Sequence, residues 1–367
     1  MKLRRLLLYV HLIAGLVSAL VLILLGVTGA IMVFETEIDY ALNAKLYRLD
    51  HRYALTHWTL GEMVAQVEKA QSAKVVSLRL PDEPDVAPTL TLRMADGKMR
   101  SVTVDPVTSK VIGDTSSANT FTQKLHQFHK NLLLGDKGKL VTGWGAILLV
   151  LLALTGIILW WPRKILAFSS SHSGARINFD LHNVLGFYSS FFMLIFGITG
   201  VVIHWDDEAM KLVGNITHTT ATQAMPSVEL SAPSTKPLAA QFAYEIACDS
   251  VPGAWVTSIQ NLGSLRGPVR VTMRFPEDRT PAGRTNVYLH PVTGEVLSAQ
   301  TSRDAPPAYK IVKVWNRQLH TGDAWGWPSR IIACLASLSL PLLALTGPLI
   351  WWGRIRRKKS AVSSGPA

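Results

Sequence analysis

LLLYVHLIAGLVSALVLILLGVTGAIMVFETEID, residues 6–39, and INFDLHNVLGFYSSFFMLIFGITGVVIHWDDEAM, residues 177–210, carry one pattern twice. Side by side, His11 meets His182, Gly15 meets Gly186, and Thr28-Gly29 meets Thr199-Gly200. Glu35 meets Asp206 and Glu37 meets Glu208. A second pair repeats in the same way: LLALTGIILWWPR (151–163) matches PLLALTGPLIWWGR (341–354), which sets Trp160-Trp161 against Trp351-Trp352 and His129 against His320. The chain reads as an internal duplication.

Each member of these pairs belongs to an apolar run: Leu6–Phe34, Val141–Trp161, Leu181–Trp205 and Ile331–Trp352. Each run holds at least ~20 residues free of Lys, Arg, Asp and Glu, enough to cross a ~30 Å hydrocarbon core. The whole chain of 367 residues is 48% hydrophobic, below what spanning helices alone would give, so part of it lies outside the bilayer. The first run, after MKLRR, is too long for a signal-peptide core and lacks a small-x-small cleavage site, so it reads as a retained anchor.

Between the runs, VTVDPVTSKVIGD (102–114) resembles VYLHPVTGEVLSAQ (287–300): a strand, a Pro-containing turn and a second strand. An amphipathic helical stretch precedes each, near Leu60–Gln71 and Leu238–Cys248. The expected architecture is an α-helical membrane protein, a duplicated four-helix bundle carrying two α+β extracytoplasmic modules. Along the chain this gives helix 1 (1–37), module 1 (38–120) and an interfacial plus spanning helix (121–163). A cytoplasmic loop (164–180), helix 3 (181–205) and module 2 (206–307) follow. An interfacial plus spanning helix (308–353) and a basic tail (354–367) complete it. SVELSAPSTKP (227–237) reads as a linker into the second module.

Orientation comes from cations near the helix ends. Lys2, Arg4, Arg5, Arg163, Lys164, Arg176, Arg354, Arg356, Arg357, Lys358 and Lys359 share one side with Asp180 as their single acid, which puts both termini in the cytoplasm. The net charge of +12 is therefore mostly a topology signal, and no nucleic-acid partner is needed to explain it. Cys248 and Cys334 lie in unlike compartments, which excludes a mutual disulfide, thiolate metal sites and covalent haem attachment. Nucleotide loops, zinc-protease helices and nucleophile elbows are missing from the sequence, and the cytoplasmic loops are too short for a flavin or nicotinamide domain.

The histidines carry the chemistry. An ionisable residue within a spanning segment is costly and marks a functional site. His11 and His182 lie about two turns into helices 1 and 3, each with a glycine four residues on, which leaves a face open to a flat macrocycle. Facing helices that each supply one imidazole suit an axially ligated haem. His129 and His320, in KLHQFHKNLLLGDKG (124–138) and NRQLHTGDAWG (316–326), each precede a Gly-Asp break and a spanning helix, and form a second pair at the outer edge. His126 and His204 are alternative outer ligands, although their counterparts are Arg317 and Val33. His51, His57, His172, His218 and His290 read as solvated. At 1.5 Å per residue, His129 stands above the hydrocarbon unless the Gly135–Gly138 break folds its helix back.

The remaining features have structural readings. The Thr-Gly pair in all four helices predicts close helix packing through small residues, with a cofactor role as the sharper alternative, and the Trp-Trp pairs predict interfacial anchors. Trp315, Trp325 and Trp327 beside His320 fit an aromatic belt or a haem shield. Arg266, Arg270, Arg274, Arg279 and Arg284 read as a solvated strand face, with attraction of an anionic chelate as the sharper alternative.

LHNVLGFYSSFFMLIFGITGVV, FHKNLLLGDKGKLVTGWGAILLVLLALTGIILWWPR and LHTGDAWGWPSRIIACLASLSLPLLALTGPLIWW resemble the PepSY-associated transmembrane helix family of bacterial inner-membrane proteins. DPVTSKV and HPVTGEV are similar to its PepSY periplasmic modules. The resemblance spans nearly the whole chain and implies two haem b groups on His11, His182, His129 and His320. It also implies kinship with FoxB-type ferrisiderophore reductases, with a quinol or a cytoplasmic reductase as electron donor and a ferric siderophore as acceptor. The contrasting expectation is a non-enzymatic sensor or assembly factor whose modules bind a peptide or protein.

Overall fold

The computed structural model describes residues 2–53, 57–115, 121–161, 173–219, 225–228 and 236–363. Most of the expected cytoplasmic loop, His172, and the middle of the 227–237 linker lie outside the described residues. The chain divides into two compact units. Unit 1 comprises Met1–Glu35, Thr122–Ala209 and Trp315–Ala367; unit 2 comprises Thr36–Phe121 and Met210–Val314.

Unit 1 is a four-helix bundle. Its long helices are α1 (Lys2–Met32), α6 (Gly135–Trp160), α7 (Gly174–His204) and α12 (Trp327–Ser363), each long and apolar enough to cross a membrane. Short helices α5 (Phe121–Asn131) and α11 (Asn316–Thr321) precede α6 and α12, and a 3₁₀ turn at Asp323–Trp325 follows α11. Helix α7 begins earlier than the apolar run suggests, and α12 continues into the basic tail. Around the bundle α1 packs on α12 and α6, and α7 packs on α6 and α12, so α1 and α7 face each other across the diagonal.

The helices are apolar outward. Val17, Leu20, Phe191 and Leu335 are exposed, whereas Ser18, Gly26, Thr28, Thr155, Gly197, Thr199 and Thr346 are buried. Lipid offers no hydrophobic drive to bring helices together, so small residues and side-chain hydrogen bonds do the joining. A Cβ on Gly26 would stand 2.8 Å from Pro341 Cδ and 2.9 Å from the Ser337 carbonyl oxygen. A Cβ on Gly197 would stand 2.7 Å from Val150 Cγ2. Both helix pairs therefore require glycine at closest approach. Apolar Leu22, Leu149, Met193 and Leu340 fill the middle of the bundle.

The break before α6 folds the chain back. Leu132, Leu133 and Gly135 take φ of 52°, 58° and 59°, and Thr142 Oγ1 donates to the Lys130 carbonyl at 2.9 Å. A Cβ on Gly138 would lie 1.7 Å from the Asn131 carbonyl oxygen, so backbone sits on backbone there. This answers the height problem of His129, whose ring returns to α1 four residues before that helix ends.

Unit 2 corrects the expectation of two separate α+β modules: its strands form one continuous antiparallel sheet. Strands β1 (Lys74–Arg79), β2 (Thr89–Arg93), β3 (Met99–Val104) and β4 (Val111–Asp114) make one meander. Strands β5 (Trp255–Gln260), β6 (Val269–Arg274), β7 (Thr285–Leu289) and β8 (Val296–Gln300) make another. The order is β4-β3-β2-β1-β5-β6-β7-β8. The join is Ser77↔Gln260, Leu78↔Ile259 and Arg79↔Ser258. Separate modules would leave β1 and β5 as unpaired edges, and pairing them satisfies both. Helices α4 (His57–Gln71) and α9 (Ala240–Ser250) cover one face, enclosing Met63, Val67, Leu90, Leu92, Ile259, Met273 and Leu289. Helices α2 (Glu35–Leu42), α3 (Ala44–Tyr47) and α8 (Asp206–Thr217), the turn α10 (Pro307–Tyr309) and a π-helical Lys310–Trp315 make the connections.

Candidate functional site

All four spanning helices carry Thr-Gly, and each pair is a histidine socket. Thr155 Oγ1 lies 2.8 Å from His11 Nδ1, and Thr346 Oγ1 lies 2.8 Å from His182 Nδ1. Thr28 Oγ1 lies 2.8 Å from His129 Nδ1, and Thr199 Oγ1 lies 2.8 Å from His320 Nδ1. The glycine after each threonine faces the same ring. A Cβ there would meet His11 Cε1 at 3.4 Å from Gly156, His182 Cε1 at 3.4 Å from Gly347 and His129 Cε1 at 3.3 Å from Gly29. For Gly200 the distance to His320 Cε1 is 3.6 Å. The packing role expected for these dipeptides is thus joined by a second one, which the sequence pattern did not disclose.

The hydroxyls decide the tautomer. Each threonine Oγ1 donates its single proton to the carbonyl one turn back: Thr28 to Leu24 at 2.7 Å, Thr155 to Leu151 at 2.7 Å, Thr199 to Ile195 at 2.6 Å and Thr346 to Leu342 at 2.8 Å. The oxygen can then only accept from the ring, so each histidine carries its proton on Nδ1 and leaves Nε2 bare. A bare Nε2 is the form that binds a metal.

The sockets bring the rings together in two pairs. His11 and His182 have ring centres 6.5 Å apart with planes at 87°. His129 and His320 have ring centres 6.4 Å apart with planes at 64°. An imidazole nitrogen sits about 2.0–2.1 Å from a first-row metal and the ring centre about 1.1 Å behind it. Imidazoles on opposite sides of one iron therefore have centres roughly 6.3 Å apart. Rotation about each metal–nitrogen axis is free, so both interplanar angles are compatible. The residues present fit a bis-histidine haem at each pair. Burial pushes His129 down to about 4, with His126 adding to the effect, and pushes His320 down to about 3, with His129 adding. Both rings are neutral at neutral pH.

From His11 to Thr28 along α1, at about 1.5 Å per residue, the rise is about 26 Å, so one pair lies towards each end of the bundle. The chain belongs to the PepSY-associated TM region family. That family's model matches residues 8–354, which include all four paired histidines. No curated protein matches the chain.

The family bundle leaves the other histidines elsewhere. His126 Nδ1 lies 3.2 Å from Glu35 Oε2. His204 meets Trp205 edge to face with ring centres 4.0 Å apart, and a Cβ on Gly143 would touch its ring at 2.6 Å, at the α6–α7 contact. His51 lies 3.3 Å from Asp105, and His290 Nδ1 accepts from the turn amides of Val292 and Thr293. Trp160 is not an interfacial anchor: it is buried and stacks on Phe187 at 3.8 Å, whereas Trp161 and Trp352 are exposed. Trp327 stacks on Phe34 at 5.7 Å, and Arg330 lies over both rings while donating to the Val33 carbonyl at the end of α1. Of the arginines on β6, Arg274 is held by Asp82 and Arg270 by Gln260.

Proposed function

We propose that this membrane protein of the PepSY-associated TM region family is a di-haem electron carrier of the bacterial inner membrane. The observation that carries the reading is the repeated pair of neighbouring histidines, at 6.5 and 6.4 Å, whose Nδ1 atoms each meet a threonine hydroxyl. Among the described residues no cluster of three or more His, Cys, Asp or Glu side chains could hold a bare ion. Two ligands per site suit a group that brings its own equatorial nitrogens. Bound haem supplies a one-electron iron couple. His11 and His182 hold one group near the end bearing the basic termini, and His129 and His320 hold the other near the far end. The threonines keep every Nε2 deprotonated and aimed, and the apolar bundle keeps water from the ligands.

In this reading both termini are cytoplasmic, because the cations cluster there. Electrons enter from a quinol or a cytoplasmic reductase and leave to a ferric siderophore in the periplasm. One electron turns Fe(III) to Fe(II), and hard oxygen ligands hold Fe(II) less well. Matched sockets and the mirrored strand order support descent of the two halves from one duplicated unit, with PepSY-like strands in unit 2.

The test is a dithionite-reduced minus oxidised spectrum with a haem count per chain. Two b-type haems are expected, one disturbed by His11→Ala and the other by His129→Ala. A folded chain from haem-sufficient cells with no haem would end the electron-transfer reading and leave a peptide- or protein-binding role for unit 2. Reduced protein is then mixed with ferric siderophores under an Fe(II) trap.

A further inference from the structure

The four histidines are not held equally. One turn before His182, Asn178 Nδ2 donates to the Thr346 carbonyl at 3.1 Å, the same residue whose hydroxyl accepts from His182. One turn before His320, Asn316 Nδ2 donates to the Thr199 carbonyl at 3.3 Å, and Thr199 again accepts from the histidine. The residues one turn before His11 and His129 are Leu7 and Leu125, which have no donor to offer. Each facing pair therefore joins one histidine whose helix is tied a second time, one turn back, to one that lacks that tie.

Other fastenings near His11 and His129 lie at exposed or partly exposed positions. Arg4 reaches the Leu159 carbonyl at 3.4 Å, and His126 meets Glu35 at 3.2 Å. Exposed polar contacts of that kind contribute little. Asn316 is buried and Asn178 half-buried, so their amides fix helix register where water competes less.

Resting on the haem reading above, we infer that His182 and His320 are the fixed ligands and His11 and His129 the exchangeable ones, with Asn178 and Asn316 as the positioning residues. Each site then fills from the second-half histidine, and the first-half histidine closes it. A single hydrogen bond of this kind weights the bound orientation about fivefold.

The experiment compares haem retention and spin state in the full-length protein carrying single substitutions. His11→Ala and His129→Ala are expected to keep haem at the altered site as a five-coordinate, high-spin species. His182→Ala and His320→Ala are expected to retain about fivefold less. Adding Asn178→Leu to His11→Ala, or Asn316→Leu to His129→Ala, is expected to bring retention down to the lower level. The unaltered site at the other end, still six-coordinate and low-spin, reports that the bundle is folded. Equal retention in opposing variants, or no effect of the asparagine changes, in a protein whose wild type binds two haems overturns this inference alone. A wild type without haem overturns the haem reading and this one with it.

Discussion

Thr155→Val separates a hydroxyl from a shape. Valine keeps the threonine outline, so α6 packing and the Gly156 contact survive, and the loss is the acceptor 2.8 Å from His11 Nδ1. That N–H is left with the Leu152 carbonyl alone, and the lost hydrogen bond costs about 0.5–1.5 kcal/mol. The ring can escape by turning to another acceptor, but the turn takes Nε2 off the line to His182, whose ring centre is 6.5 Å away. Either route weakens haem at this pair by about 2- to 12-fold, since about 1.4 kcal/mol is tenfold. The measurement is haem titration of the full-length protein, read by the separate spectra of the two sites, with a thermal melt alongside. A further marker is potential: removing the acceptor makes the imidazole a weaker donor to Fe(III), so the midpoint of that site rises. Thr155→Ser, which restores the hydroxyl, is expected to return both values, and in a His11→Ala background Thr155→Val should change nothing more. Unchanged occupancy and midpoint in Thr155→Val would refute the idea that the hydroxyl sets the tautomer.

Other outcomes follow from the same geometry. Gly26→Val places carbon within 2.9 Å of the Ser337 carbonyl and is expected to part α1 from α12, at about 1–3 kcal/mol of overpacking, visible as a lower melting temperature in detergent. Gly138→Ala is expected to be worse, because its Cβ would meet the Asn131 carbonyl oxygen at 1.7 Å, and to disturb the outer pair while sparing the His11 pair. Arg330→Met removes the donor to the Val33 carbonyl and the stack with Phe34 and Trp327, so the outer site should lose haem before the inner one in a competition with apomyoglobin. In unit 2, burial raises Tyr47 to about 12, helped by Asp39. A phenol whose folded value lies above its unfolded one contributes stability below about pH 10 and loses it as pH rises towards 12. Tyr47→Phe is therefore expected to flatten the alkaline limb of unit 2 unfolding between those values.

Much of the site was legible in His11, His129, His182 and His320, because an imidazole at the threshold of an apolar run has few structural reasons to be there. The Thr-Gly pairs were visible too, but their second role was hidden. Nothing in the spacing says that the threonine of one helix serves the histidine of another, as Thr155 serves His11 and Thr28 serves His129. Trp160 misled because a tryptophan near a helix end fits a belt by composition, whereas a stacking partner, Phe187, comes from a different helix. The two modules were each readable from their hairpins, but the β1–β5 pairing was not, since strand alternation specifies which face is buried and not which neighbour lies alongside.

The sequence by itself determined four spanning helices, their apolar outer surface and the histidines near each end, because hydropathy and residue type are properties of the chain read in order. Tertiary structure alone decided which helix faces which, the folding back of α5 at Gly135, the tautomer of each ring and the unequal latching by Asn178 and Asn316. Those features depend on single hydrogen bonds and sub-ångström glycine contacts between residues far apart in sequence. No local pattern encodes them; the packing of the bundle does.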